Sequence, residues 1–228
     1  MSEVVAAIVA HADDEALGCG GTLAKHVASG DSVYVVFVAD GTGSRSEGQS
    51  EGALALQQRQ RAAIDAVSKI GAQSPIFLDL PDNQLDALSL LEVIKTLEPV
   101  LTEIDPTIIY THHGGDLNID HRTVCQAVMT IFRPMPSSGV KAIYGFETMS
   151  STEWRFDEPR AHFTPNRYVD VSNTFEKKVA ALRAYDIEMR EFPHPRSIKA
   201  VEALATYRGA TVGCTLAEAF TVLRQVDF

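Results

Sequence analysis

Val4-Val5-Ala6-Ala7-Ile8-Val9-Ala10, followed at once by His11-Ala12-Asp13-Asp14-Glu15, is an apolar run that ends in one imidazole and three carboxylates. A short, partly β-branched run of this kind reads as a buried strand, and the segment from 15 to 29, closed by Gly30, reads as a helix. A strand opening into a helix is where an α/β sheet presents side chains to a ligand crevice. At a spacing of three residues, His11 and Asp14 can reach one divalent ion. The stretch points to an α/β enzyme with a metal site.

The same alternation continues along the chain. Val33 to Val38 is a second apolar run, and Asp40-Gly41-Thr42-Gly43-Ser44 after it reads as a loop. Gln57 to Ile70 reads as a helix closed by Gly71, Ile76 to Leu80 as a third strand stopped by Pro81, and Thr107 to Thr111 as a fourth. Ala87 to Glu103 is helical in pattern with a break expected near Pro99. Ser172 to Met189 carries Phe175, Val179, Leu182 and Ile187 at roughly helical spacing, and Ala200 to Tyr207 and Leu216 to Leu223 read as two shorter helices.

Strands alternating with helices predict a Rossmann-like α/β fold: a mainly parallel sheet with helices on both faces. No Ser/Gly/Pro-rich linker divides the 228 residues, so 1–228 is expected to form a single domain. Right-handed crossovers would gather the strand C-termini along one edge. The polar clusters His11 to Glu15, Asp40 to Arg45, Pro81 to Asn83 and His112 to His121 each follow an apolar run, which would place them all on that edge.

Composition narrows the function classes. A formal net charge of −10 disfavours nucleic acid and anionic membrane as partners, because phosphate binding needs concentrated Lys and Arg. Three widely spaced cysteines, Cys19, Cys125 and Cys214, suggest neither a disulfide framework nor a metal knuckle. The first ten residues lack the basic start of a secretory signal, and no apolar run approaches the ~18 residues of a membrane span. A cytoplasmic protein is the expectation, with a homo-oligomer left open.

The second dense cluster is His112-His113-Gly114-Gly115-Asp116-Leu117-Asn118-Ile119-Asp120-His121. With it the chain resembles the PIG-L/LmbE-type zinc-dependent N-deacetylases: His11 to Glu15 is similar to their HPDDE signature and Asn118 to His121 to their distal HxxH or NxDH element. The likeness extends to Asp40-Gly41, Arg59, Pro81-Asp82-Asn83 and Pro193-His194-Pro195-Arg196-Ser197. The resemblance implies one Zn²⁺ held by His11, Asp14 and His121, with Asp13 as general base, although the ligand types also suit other divalent transition metals. Two imidazoles and a carboxylate leave a fourth position open, the pattern of a catalytic site.

Removal of an acetyl group from an N-acetylated amino sugar or its conjugate is the expected reaction, and the small-molecule sugar the expected partner. A different amide, such as a thiol conjugate, and a non-catalytic metal- or nucleotide-binding module are the rival readings. The resemblance also places Arg59 and Asp82 on substrate-contacting positions; Arg45, Arg196 and Asn118 complete the substrate-binding candidates. Asn118 stands where many relatives have His and cannot serve as a proton donor to the leaving amine. That acid must be Asp13 returning its proton or another histidine, with His194 ahead of His112 and His113. Ala12 replaces the usual Pro of the signature and leaves its chemistry intact.

Simpler roles compete for several of these residues. Asp13 or Asp14 could cap the helix, Glu15 could support a ligand or the helix start, and the arginines could be ordinary surface residues. Trp154 reads as a buried or interface aromatic before it reads as a sugar platform. Gly18, Gly20 and Gly21 fail the dinucleotide spacing, because Leu23 sits where a third glycine is required. They are expected to allow close helix packing instead.

Overall fold

Val5, Ala6, Ala7, Ile8, Val9 and Ala10 are all fully buried, because their strand lies mid-sheet with helices on both sides. The computed structural model describes residues 2–41, 49–136 and 138–227. Within them the chain runs β1 (Val4–Val9), α1 (Asp14–Ala28), β2 (Ser32–Ala39), α2 (Gln49–Ile70), β3 (Ile76–Leu80), α3 (Leu90–Ile104), β4 (Ile108–His112), α4 (Ile119–Ile131) and β5 (Ala142–Phe146). It finishes with β6 (Arg167–Asp170), α5 (Phe175–Ala184), α6 (Ile198–Val212) and β7 (Ala217–Gln225).

The sheet has seven strands in the order β3-β2-β1-β4-β5-β7-β6. The first five pair in parallel, while β7 lies antiparallel between β5 and β6. Side chains alternate along β1, and this alternation separates two cores. Val5, Ala7 and Val9 join α1, α2, α5 and α6 residues such as Leu23, Val67, Leu182 and Val201; Ala6, Ile8 and Ala10 join α3 and α4 residues such as Leu97 and Val128. Burying Val5, Ile8 and Val9 contributes roughly 1.5–3 kcal/mol each, so β1 is one anchor of both cores.

The glycines of α1 do serve packing. A Cβ on Gly18 would lie 2.1 Å from the ring of Phe146, and one on Gly21 would lie 3.0 Å from Val171. The helix is also tied from outside: Lys178 Nζ donates to Leu17 O (2.7 Å) and to Glu218 Oε1 (2.6 Å). The Glu218 carboxylate accepts from Gly21 N (3.0 Å) and Thr22 N (2.7 Å), so a buried ion pair from α5 and β7 grips the middle of the helix.

Several element assignments from the sequence change. Leu216 to Leu223 is not a helix but most of β7, whose Phe220 pairs with Phe146 on one side and Arg167 on the other. β6 pairs with Ala217 to Phe220 and β5 with Phe220 to Gln225, and this pairing along the whole strand outweighs a local pattern that fits either period. Helix α3 runs through Pro99 without a break, because Val93, Ile94, Leu97, Leu101 and Ile104 are buried along one face and offset the single missing hydrogen bond. It starts at Leu90 instead of Ala87, where Ser89 and Glu92 form a reciprocal capping box. The helix expected over 172–189 is confined to Phe175–Ala184, and α2 begins at Gln49 instead of Gln57.

Candidate metal centre

All the clusters that could be placed lie at the C-terminal edge of the parallel strands. The turn after β1 contributes the first half of the site. Asp14 Oδ2 accepts the His11 backbone N–H at 2.8 Å, which folds the turn so that His11 Nδ1 stands 3.4 Å from the same oxygen. Asp13 occupies the N-cap position of α1 with φ 116° and makes no side-chain cap. Holding a non-glycine residue there costs on the order of 1–3 kcal/mol. Glu15 Oε2 accepts the Asp13 N–H (3.2 Å) and Tyr185 donates its hydroxyl to Glu15 Oε1 (2.7 Å), so Glu15 supports the strained turn from beneath.

The second half comes from β4, the loop after it and the start of α4. His121 Nε2 lies 3.3 Å from Asp14 Oδ2, and His112 Nε2 lies 3.5 Å from it. The two imidazoles stack with centroids 3.9 Å apart. His112 is turned to other work, since its Nε2 accepts the Ala10 N–H at 2.8 Å. Behind His121, Asp116 Oδ1 lies 3.1 Å from Nδ1. Asp116 is itself fixed by hydroxyl donors from Ser151 and Thr152 and by Asn118 N–H (2.8 Å). Behind His11, Nε2 faces Asp82 Oδ1 at 3.0 Å and Asp120 Oδ2 at 3.1 Å, while Asp120 also accepts Asn83 N–H and Leu85 N–H.

Burial and charge set the protonation of the protein alone. Burial opposes a charge on Asp14, but His121, His112 and His11 hold its carboxyl well below the usual range. His121 is lifted to about 9 against burial by Asp14 and Asp116, whereas burial drives His112 down to about 3. Burial pushes Asp13 up to about 7 despite Arg196, whose Nη1 sits 2.6 Å from Asp13 Oδ2. Burial also pushes Glu15 up to about 8, against the Tyr185 hydrogen bond.

Donor atoms of His11, Asp14 and His121 all lie within 4.8 Å of one another. Asp14 Oδ1 is buried with no hydrogen-bond partner among the described residues, a costly state that a cation would relieve. Each imidazole also has a carboxylate behind its other nitrogen, the usual support of a metal-bound histidine. The residues present therefore fit a divalent ion. A cavity of about 130 Å³ opens beside them, lined by His11, Ala12, Asp13, Arg59, Asp82, Asn83, Asn118, Glu188 and Arg196.

Residues 6–132 match the PIG-L family, described as GlcNAc-PI de-N-acetylase. The chain belongs to the PIG-L family. Its members are metal-dependent N-deacetylases, and this chain is a hydrolase of that kind. Among similar proteins, the uncharacterised deacetylase YaiS of Escherichia coli (strain K12) is 29% identical, with 79% of this chain and 89% of YaiS covered. The diacetylchitobiose deacetylase of Thermococcus kodakarensis is 28% identical, covering 94% and 80% of the two chains. Among solved structures, GalB, the 4-carboxy-2-hydroxymuconate hydratase of Pseudomonas putida KT2440, superimposes with a TM-score of 0.79 at 20% identity, over 100% and 98% of the chains. That last likeness concerns the fold alone, and it shows that this PIG-L fold does not by itself dictate deacetylation.

Of the residues singled out in the PIG-L sequence, the structure brings His11, Asp13, Asp14, His121, Arg59, Asp82, Asn118 and Arg196 to one edge, and Arg45 lies outside the described residues. The described substrate candidates already have protein partners: Arg59 Nη2 pairs with Glu188 Oε1 at 2.9 Å, Arg196 pairs with Asp13, and Asp82 Oδ1 faces His11 Nε2 at 3.0 Å. Asn118 caps α4 through its side chain, accepting Asp120 N–H. His194 is not brought to the cavity wall. Its Nδ1 accepts Arg196 N–H (3.1 Å) and its ring meets Trp154 edge-on at 6.1 Å. His113 points away as well, onto Ala161 O. Sequence reasoning missed Asp116, Asp120 and Glu188. Asp120 could have been found from its place one residue before His121 and two after Asn118; Glu188 carries no local signal.

Proposed function

We propose that the chain hydrolyses the acetamide of an N-acetylated amino sugar or glycoconjugate, releasing acetate and a free amine. The observation that carries this reading is Asp13, a buried carboxylate aimed into the cavity beside the His11, Asp14 and His121 donors but not itself one of them. A binding module has no use for a base in that position. The relationship to a diacetylchitobiose deacetylase and the GlcNAc-PI description of the family support a sugar-borne acetamide.

His11, Asp14 and His121 would hold Zn²⁺, which when bound polarises the acetyl carbonyl and makes water nucleophilic near neutral pH. Asp13 accepts the proton of the attacking water on a carboxylate oxygen. From its place at the cavity wall it can then pass that proton to the amine nitrogen as the C–N bond breaks. In this reading Asp13 serves as base and then acid, so that Asn118 need not donate a proton. Arg196 holds Asp13 in its rotamer and moderates that shift. His194 steadies Arg196 in turn, a supporting part in place of the direct proton donation first expected of it. Arg59, Glu188, Asp82 and Asn118 offer the hydrogen-bonding surface for sugar hydroxyls.

The test is acetate release by the zinc-loaded chain from N-acetylglucosamine, N,N′-diacetylchitobiose and a thiol-conjugate amide in parallel. Acetate from an N-acetyl sugar supports the reading. Turnover of the thiol conjugate alone would replace the substrate class, and turnover of none with stoichiometric metal bound would overturn the reading.

A further inference from the structure

A second cavity, of about 360 Å³, lies at the opposite edge of the sheet from the candidate metal centre. It is walled by the last turns of α1 (Thr22, Lys25, His26), by Tyr110 of β4 and by the start of β6 (Arg167). We propose that this cavity is a binding site for a small oxyanion, a carboxylate or a phosphate. Nothing in the deacetylation chemistry uses it.

The first argument is charge. The chain carries a net charge of −10, yet within this cavity Lys25 and Arg167 have no carboxylate within ion-pair distance among the described residues. The two acids beside them are committed elsewhere. Asp31 accepts from His26 Nδ1 (2.7 Å) and Glu3 N (2.9 Å), and Asp170 Oδ1 accepts from Ser172 N (2.9 Å) and Oγ (2.6 Å). Lys25 Nζ donates to the Asp170 carbonyl at 2.8 Å, which holds the ammonium without neutralising it. An arginine held in place and lacking an anion is the usual form of an oxyanion receptor, because its planar fork matches two oxygens at once.

The second argument is unsatisfied hydrogen-bonding capacity. Arg167 Nε and Thr22 Oγ1 are both buried with no hydrogen-bond partner among the described residues, and Thr22 is 1% exposed. The guanidinium carbon lies over the Tyr144 ring, 4.1 Å from its centroid, and the Tyr110 phenol hydrogen-bonds the same group, so two aromatic residues position it before any ligand arrives. Tyr110 adds a phenol within 3.0 Å of His26 Nε2. The carbonyl end of α1 would repel an anion, but its last carbonyls are already answered by the N–H groups of Ser29, Gly30 and Asp31. What remains, beside the contact of the guanidinium with the Tyr110 phenol, is a pair of unanswered donors, Arg167 Nε and Thr22 Oγ1, close to the Lys25 ammonium.

The experiment titrates the full chain with inorganic phosphate and, separately, with acetate, following the amide signals of Thr22 and Lys25 and the Arg167 Nε–H signal by NMR. Saturable shifts with a Kd on the order of 1 mM are expected for at least one anion. The anion that saturates identifies the source. Arg167→Gln should weaken binding at least about tenfold, since it removes the charged fork. Thr22→Val guards against a folding defect, because the hydroxyl it removes has no protein partner; it should leave the melting temperature unchanged and weaken binding severalfold. The shifts should persist in His121→Ala, which separates this cavity from the metal centre. Absence of saturable shifts with both anions, or shifts unaltered in both Arg167→Gln and Thr22→Val, would overturn the proposal.

Discussion

The two halves of the candidate metal centre are built by different means. The proximal half, His11 to Glu15, is a local device: five consecutive residues whose turn is closed by the hydrogen bond from His11 N–H to Asp14 and supported by Glu15. The distal half depends on distant parts of the chain. His121 is aimed by Asp116, which is aimed by Ser151 and Thr152 from beyond β5, while Asp120 reaches back to His11 and across to residues 83 and 85. A local turn has its first closure within itself, and distant residues such as Tyr185 and Arg196 only brace it. A relay of side chains passes every disturbance on to its last member.

The largest expected effect falls on the proximal half. Asp13→Asn should keep metal content near one equivalent and lower the turnover of an N-acetyl sugar by about 10²- to 10⁴-fold, as loss of a general base does. Metal analysis beside initial rates checks both parts, and full activity would remove Asp13 from the role. His121→Ala should lose stoichiometric metal altogether, read by equilibrium dialysis.

The relay predicts an intermediate effect. Asp116→Asn leaves every proposed ligand in place yet should weaken zinc affinity by about 10- to 100-fold in competition with a chromophoric chelator. Ser151→Ala with Thr152→Val should shift affinity in the same direction by less. If these changes leave affinity untouched, the distal half is as self-sufficient as the proximal one and the contrast fails.

The smallest effect concerns Glu15. Burial holds its pKa at about 8 in the fold against an ordinary value of 4.5, so the folded state binds more protons than the unfolded state between those values. Its contribution to stability is therefore fully present below about pH 4.5 and is lost as pH rises through about 8. In the metal-free protein, Glu15→Gln should flatten that decline, and its advantage over the parent should grow from pH 5 to pH 8 by roughly 3–4 kcal/mol. Urea titrations at the two pH values measure it. A constant difference would mean that Glu15 is charged in the fold.

How far each part could be read from the sequence follows the same division. β1 to β4 and the first helix are legible because parallel strands buried on both faces are continuous apolar runs, and the polar residues after them stand out. His11, Asp13, Asp14 and His121 are legible for that reason. β7 is not, because Leu216 to Leu223 has no pattern that separates strand from helix, and only its neighbours β5 and β6 decide. Asp116 and Glu188 are illegible for a related reason: their meaning comes from a partner 5 and 129 residues away, His121 and Arg59. His194 shows the opposite failure, a residue conspicuous by its setting between two prolines whose ring the tertiary fold turns toward Trp154.

The Lys178–Glu218 pair that grips α1 also has a bearing on synthesis. The helix carrying Asp14 is translated before its tether, because the carboxylate that accepts Gly21 N–H and Thr22 N–H lies almost two hundred residues later. Until that segment has left the ribosome, β5 lacks its antiparallel neighbour and α1 lacks its tether. The proximal ligands are therefore made well before the strand that anchors their helix, and a competent centre waits for β7.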